Sequence, residues 1–156
     1  MKVSTALFFV VASLVLSACG SRYVLREVKN FDQVGWLYAD SLQATLALQD
    51  TARIYDIQLL VHHSEAYPYQ NLYVRIHTIF PNGKRLSQPL SLELADKSGR
   101  WFGKGRQNRK LVLPIQENAY FNEKGTYRFV IEQFMRVDSL VGVQAIGLQV
   151  VNKGAR

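Results

Sequence analysis

The chain has 156 residues, 48% of them apolar, and carries 19 Lys and Arg against 12 Asp and Glu, for a formal charge of +7 at neutral pH. That length suits one domain with a core of its own, and the sequence holds no internal repeat or low-complexity segment. A single cysteine excludes an internal disulfide framework.

The chain opens as a secretory signal, with Lys2 as the positive start and an apolar stretch from Ala6 to Leu16 broken only by Ser13. A membrane-spanning helix needs about 20 apolar residues. Here polar Gly20, Ser21 and Arg22 follow at once. The stretch closes in Leu16-Ser17-Ala18-Cys19, which resembles the lipobox of bacterial lipoproteins. Residues 1–18 are therefore expected to be removed and Cys19 to carry lipid. An ordinary signal peptide cut near Ala18 would leave Cys19 as an unpaired thiol in an oxidising compartment. One acyl chain holds a protein only marginally, so several chains on Cys19 are what make a durable anchor.

Export changes the meaning of the positive charge. It removes nucleic acid as a partner and leaves lipid phosphates, acidic glycans and other envelope proteins.

Residues 19–30 read as a lipidated tether and 31–156 as one folded domain. From Trp36 onward, short β-branched and aromatic stretches alternate with turn signals, the pattern of an all-β chain. The expected architecture is a single antiparallel β-sandwich, either jelly-roll or immunoglobulin-like. Arg53 to His63 is the clearest strand, with Tyr55, Ile57, Leu59 and Val61 on one face. After the loop Ser64–Gln70, the strand Asn71 to Phe80 places Leu72, Val74 and Ile76 on one face.

Pro81-Asn82-Gly83-Lys84 and Asp96-Lys97-Ser98-Gly99 are turns flanking a strand over Leu90 to Ala95, with Arg100 to Gly103 starting a return. Pro114 pushes a strand at Leu111 to Ile115 towards a sheet edge. Thr126 to Phe134 and Gln144 to Val151 complete the set. Gln43 to Leu48 is ambiguous by pattern, and Met135 to Leu140 reads as a short helical turn or a loop.

Taken together, several segments resemble the gliding-motility lipoprotein GldH family. They are the lipobox, Trp36 and Tyr38, Tyr67-Pro68-Tyr69-Gln70-Asn71-Leu72-Tyr73, Leu90 to Asp96 and Gly99 to Gly105. Gly125 to Phe129, Met135 to Leu140, Gly142-Val143 and Ile146 to Val150 complete the layout. The resemblance implies a non-enzymatic envelope lipoprotein of the gliding machinery, working with type IX secretion through contacts with other gliding or secretion proteins. It supplies no catalytic residue.

The residues themselves agree with that absence. Neighbours on a strand face opposite ways, so His62 and His63 cannot share a metal without a bulge. A hairpin centred on Tyr67 would set His77 roughly 16 Å along from His62. No metal and no cofactor are therefore expected. No serine sits in a nucleophile elbow, and Gly103-Lys104-Gly105 lacks the spacing of a phosphate loop. No small-molecule substrate is indicated.

Two stretches are candidate interfaces. Lys97, Arg100, Lys104, Arg106, Arg109 and Lys110 form an acid-free basic run that contains Trp101 and Phe102. It reads as a solvated loop or as a contact for an anionic partner or membrane phosphate. Tyr67 and Tyr69 flank Pro68 in a stiff loop that either packs on the domain or binds a partner. A glycan-binding envelope sandwich is the alternative function, and it needs Trp101 or the tyrosines as a flat exposed platform. An envelope hydrolase would need two or more acids converging in a cleft. Gly20, rather than aspartate, after Cys19, and no acid-rich stretch behind it, point to the outer membrane facing the periplasm.

Overall fold

A computed structural model describes residues 22–156; the expected signal peptide and lipid site at Cys19 lie outside the described residues. Ten strands follow in order: β1 (Tyr23–Asn30), β2 (Trp36–Leu37), β3 (Ser41–Leu48), β4 (Arg53–Ser64) and β5 (Asn71–Ile79), then β6 (Arg85–Glu93), β7 (Asn108–Ala119), β8 (Gly125–Gln133), β9 (Ser139–Leu140) and β10 (Val143–Ala155). They form two four-stranded sheets, β1-β10-β4-β7 and β3-β8-β5-β6, and a small β2-β9 ribbon. All pairings are antiparallel.

The pairing is nested: the first long strand lies beside the last, β3 beside β8, β4 beside β7, and β5 beside β6. A long hairpin rolled on itself gives this order, so the sandwich is a jelly roll and not immunoglobulin-like.

Period-two patterning explains the core. Leu42, Ala44, Leu46 and Leu48 of β3, Leu72, Val74 and Ile76 of β5, and Tyr127, Phe129 and Ile131 of β8 face Leu59 and Val61 of β4 and Ile146, Leu148 and Val150 of β10. Each fully buried aliphatic chain of this kind contributes about 1.5–3 kcal/mol. The stretch Gln43 to Leu48, ambiguous by pattern, is a strand because its alternate leucines are drawn into this core. Met135 to Leu140 is a loop ending in β9.

Two expectations are corrected. The tether expected over 19–30 gives way at Tyr23 to β1, which pairs with β10 from Tyr23↔Val151 to Asn30↔Ala145. Only half-buried positions punctuate β1, so no clean alternation marks it. The strands flanking Tyr67 are also no hairpin. β4 and β5 lie in different sheets, and the loop between them crosses from one sheet to the other. His63 and His77 are separated accordingly.

The crossings sort the loops. Residues 49–52, 80–84 and 120–124 close the end where β1 begins. The longer connections, 31–40, 65–70, 94–107 and 134–142, gather at the opposite, distal end. The eleven residue steps of β4 separate the ends by about 36 Å at the strand rise.

Candidate partner-binding surface

The distal end is built on a buried aromatic plug. Tyr67 is only 1% exposed, and its hydroxyl donates to the Asn71 carbonyl oxygen at 2.9 Å. Burial pushes its phenol up, far out of the physiological range. Gly142 makes the close approach possible: a Cβ there would stand 2.6 Å from the Tyr67 nitrogen, and Gly142 has φ 92°. Of the two readings open for this loop, Tyr67 takes the packing one and is withdrawn as a partner-binding candidate, because the loop that carries it folds inward to seal the sandwich.

His63 packs on this plug, with its ring centroid 5.8 Å from Tyr67 and 4.6 Å from Trp101. Its Nδ1–H donates to the Ser64 carbonyl oxygen at 3.0 Å, whereas Nε2 is buried without a partner. Burial lowers its pKa; the bond to Ser64 opposes that shift and the Arg109 charge adds to it. Arg109 lies directly opposite His63 across β4 and β7. It reaches the Glu65 carboxylate at 3.7 Å, and its Nε is also buried without a partner.

Trp101 bridges to Ala95 and is half-buried, so it supports the loop from inside more than it presents a face. Tyr67 and Trp101 offer no flat exposed face of the kind glycan binding would require, which leaves Tyr69 among the rings named for that alternative. The exposed rings here are Tyr69 and Phe102, each 39% accessible. Tyr69 stands edge-on to Tyr67 at 5.6 Å, and Phe102 lines a cavity of about 380 Å3 with Gln70, Asn71, Glu93, Asp96 and Lys97.

The basic run divides into two sets. Arg100 pairs with Asp96 at 3.1 Å, and Arg109 with Glu65. The Ser98 hydroxyl, followed by the Arg100 backbone N–H, holds the Asp96 carboxyl down to about 2. Lys104 and Lys110 exchange two backbone hydrogen bonds, turning 104–110 into a small projecting loop. Gly105 permits it, since its φ is 109° and a Cβ would collide with the Asn108 carbonyl oxygen. Lys97, Lys104, Arg106 and Lys110 are exposed and make no ion pair among the described residues.

A second patch at the same end was not legible as a site in the sequence. The Arg75 guanidinium lies 3.9 Å over the Phe134 ring. Two cavities of about 320 and 260 Å3 flank Phe134 and Arg136, bordered by Tyr73 and by Tyr38, which is 58% exposed. Trp/Tyr, Tyr-containing and Met-Arg-Val segments converge here. The signal available beforehand was an Arg set among exposed aromatics in a loop, the composition of interface hot spots.

A polar lock lies outside the distal end. His77 Nε2–H donates to Glu132 at 3.1 Å, and Nδ1 accepts from the Ser87 hydroxyl at 2.7 Å and from Arg85 Nε at 3.3 Å. This tautomer satisfies all three contacts. The groups come from β6, β5 and β8, so they tie three neighbouring strands together. Because Arg85 shares the Nδ1 lone pair with the serine, the imidazole is already engaged on both sides. Among the described residues there is no cluster of three metal-ligating side chains, and no helix long and apolar enough to cross a membrane.

Comparison with known proteins gives a consistent family. The family described as GldH lipoprotein matches residues 23–150. The gliding motility lipoprotein GldH homolog of Christiangramia forsetii is 25% identical, over 96% of this chain and 97% of that protein. The gliding motility lipoprotein GldH of Flavobacterium johnsoniae is 22% identical, over 98% of this chain and 99% of that one. Among solved structures, a family 35 carbohydrate binding module from Clostridium thermocellum overlaps 83% of this chain and 88% of its own at 11% identity. Its TM-score of 0.34 is too low for that module's ligand to bear on this chain.

Proposed function

The chain belongs to the GldH lipoprotein family, and from that premise we propose that it acts without catalysis, as a component of gliding linked to type IX secretion, by binding envelope proteins through its distal loops. Lipid on Cys19 holds it to the outer membrane, facing the periplasm. The observation that carries this reading is the gathering of all four long loops at one end. With them come the exposed Tyr69, Phe102 and Tyr38, and Lys104, Arg106 and Lys110, which form no ion pair among the described residues. Aromatic rings on a rigid scaffold supply contact area at small entropic cost, and the cations add attraction to an acidic partner.

Crosslinking and pull-down of the lipidated protein from envelopes test it, comparing wild type with Arg106→Glu/Lys110→Glu and with Tyr69→Ala/Phe102→Ala. Loss of a gliding or secretion protein from the captured set is expected in both. Unchanged capture in both would reject the distal surface. Surface proteolysis of intact cells tests orientation, because a periplasmic domain resists digestion until the outer membrane is opened.

A further inference from the structure

We propose that the end of the sandwich where β1 begins docks on the anionic phospholipid headgroups of the leaflet that holds Cys19, so that the domain stands upright with its long loops turned away. This rests on the lipid anchor at Cys19 set out above. Four residue steps separate Cys19 from Tyr23, a reach of about 14 Å when fully extended. Because Tyr23 pairs with Val151 from the first residue of β1, that short reach holds the whole of this end close to the bilayer.

What faces the bilayer is suited to it. The end carries Arg22, Arg53, Lys84, Lys124, Lys153 and Arg156 against Asp50, Asp56, Glu117 and Glu123. Three of these four acids already have a partner: Asp50 holds Arg53 at 3.2 Å, Asp56 holds Lys153 at 3.0 Å, and Glu123 accepts from Asn82 at 2.8 Å. Arg22, Lys84, Lys124 and Arg156 remain exposed and outside any ion pair among the described residues. The Arg156 guanidinium lies 4.2 Å over the ring of Tyr120, which is half exposed, giving an aromatic and a cation side by side. Tyrosines and basic residues together favour the membrane interface.

The loops at this end are short and tied together. A Cβ on Gly125 would meet Pro81 at 2.9 Å, and the Arg156 N–H donates to the Ala52 carbonyl oxygen at 2.7 Å. The surface offered is therefore firm. The other basic cluster, around Arg106, stands about 36 Å further on by the strand rise of β4. That is several Debye lengths from the headgroups at about 8 Å each, so its cations remain available for a protein.

The test uses the full lipidated protein in vesicles of phosphatidylcholine with phosphatidylglycerol, with a quencher on the headgroups. A fluorophore is placed through Asn122→Cys at the β1 end or Gln107→Cys at the distal end, and acylation of Cys19 is read by mass spectrometry. Quenching several-fold stronger at position 122 than at 107 is expected, falling towards parity in Lys84→Glu/Lys124→Glu and in pure phosphatidylcholine. Equal quenching with Cys19 acylated would mean that the domain lies on its side or tumbles, and would overturn the docking alone. A difference indifferent to charge reversal would overturn the role of the headgroups. An unacylated Cys19 would overturn the anchor and the docking with it.

Discussion

Tyr23 sits opposite Val151, only four residues after the cysteine read as the lipid site, so the first strand enters the sandwich beside the last and leaves almost no free linker. β1 is thus structural. On its far side Gly147 faces Leu60, the Glu27 carbonyl oxygen and Val28, all within 3.0 Å of where a Cβ would lie. Gly147→Val is expected to push β1 off β10 while leaving the inner core in place. Limited proteolysis should then cut within Tyr23–Asn30 before anywhere else.

Tyr67 is buried and Tyr69 exposed, so the two tyrosines separate packing from the proposed recognition. Tyr67→Ala removes a buried ring and its hydrogen bond to Asn71, and should cost about 3–5 kcal/mol in unfolding free energy. Tyr67→Phe should cost about 1 kcal/mol. Tyr69→Ala and Phe102→Ala, both at partly exposed rings, should cost no more than about 1.5 kcal/mol, well short of Tyr67→Ala, and act chiefly on partner capture. Chemical denaturation measures all four.

The buried imidazole of His63 gives stability a pH dependence of known sign. Its pKa is lowered in the fold, chiefly by burial, so the unfolded chain takes up a proton near pH 6.5 that the folded site refuses. Its contribution is present above pH 6.5 and is lost as pH falls below it. His62 shifts the same way, through burial first and then through Lys110 and Arg26. The melting temperature should drop between pH 7 and 5, and His63→Phe/His62→Gln should flatten that drop. Asp50, Asp56 and Asp96 are lowered instead, so their contribution is lost only below about pH 4. The two windows are separable in one titration.

The lock formed by Ser87, His77 and Glu132 is expected to act in stability and not in activity. Ser87→Ala should cost about 1 kcal/mol in urea unfolding and leave gliding and partner capture intact. Loss of gliding in a fully folded Ser87→Ala protein would assign the serine a chemical role.

Legibility in the sequence followed the physics of burial. Strands with one face in the core were readable because alternate apolar residues mark them, as in Asn71 to Ile79 and Thr126 to Gln133. β1 was not, since its residues are largely exposed along a sheet edge. Pro114 was placed correctly on the edge strand β7, where a missing donor does no harm. The loop at Tyr67 defeated local reasoning because a turn between sheets has the same composition as a turn within one. The basic run was visible as charge, but only the fold shows that Arg100 and Arg109 are spent on Asp96 and Glu65. His77, Ser87 and Glu132 come from three strands, a proximity that no spacing encodes.

The central claim is that the distal loops hold the partner, and site-specific photo-crosslinking in living cells tests it most directly. A photoreactive residue is placed at Tyr69, Phe102 or Arg106 at the distal end, and at Asn122 at the β1 end. Adducts with a gliding or type IX secretion protein at the distal positions, and none of them at Asn122, are the expected result. The same protein captured at Asn122 and absent from all three distal positions would contradict the account.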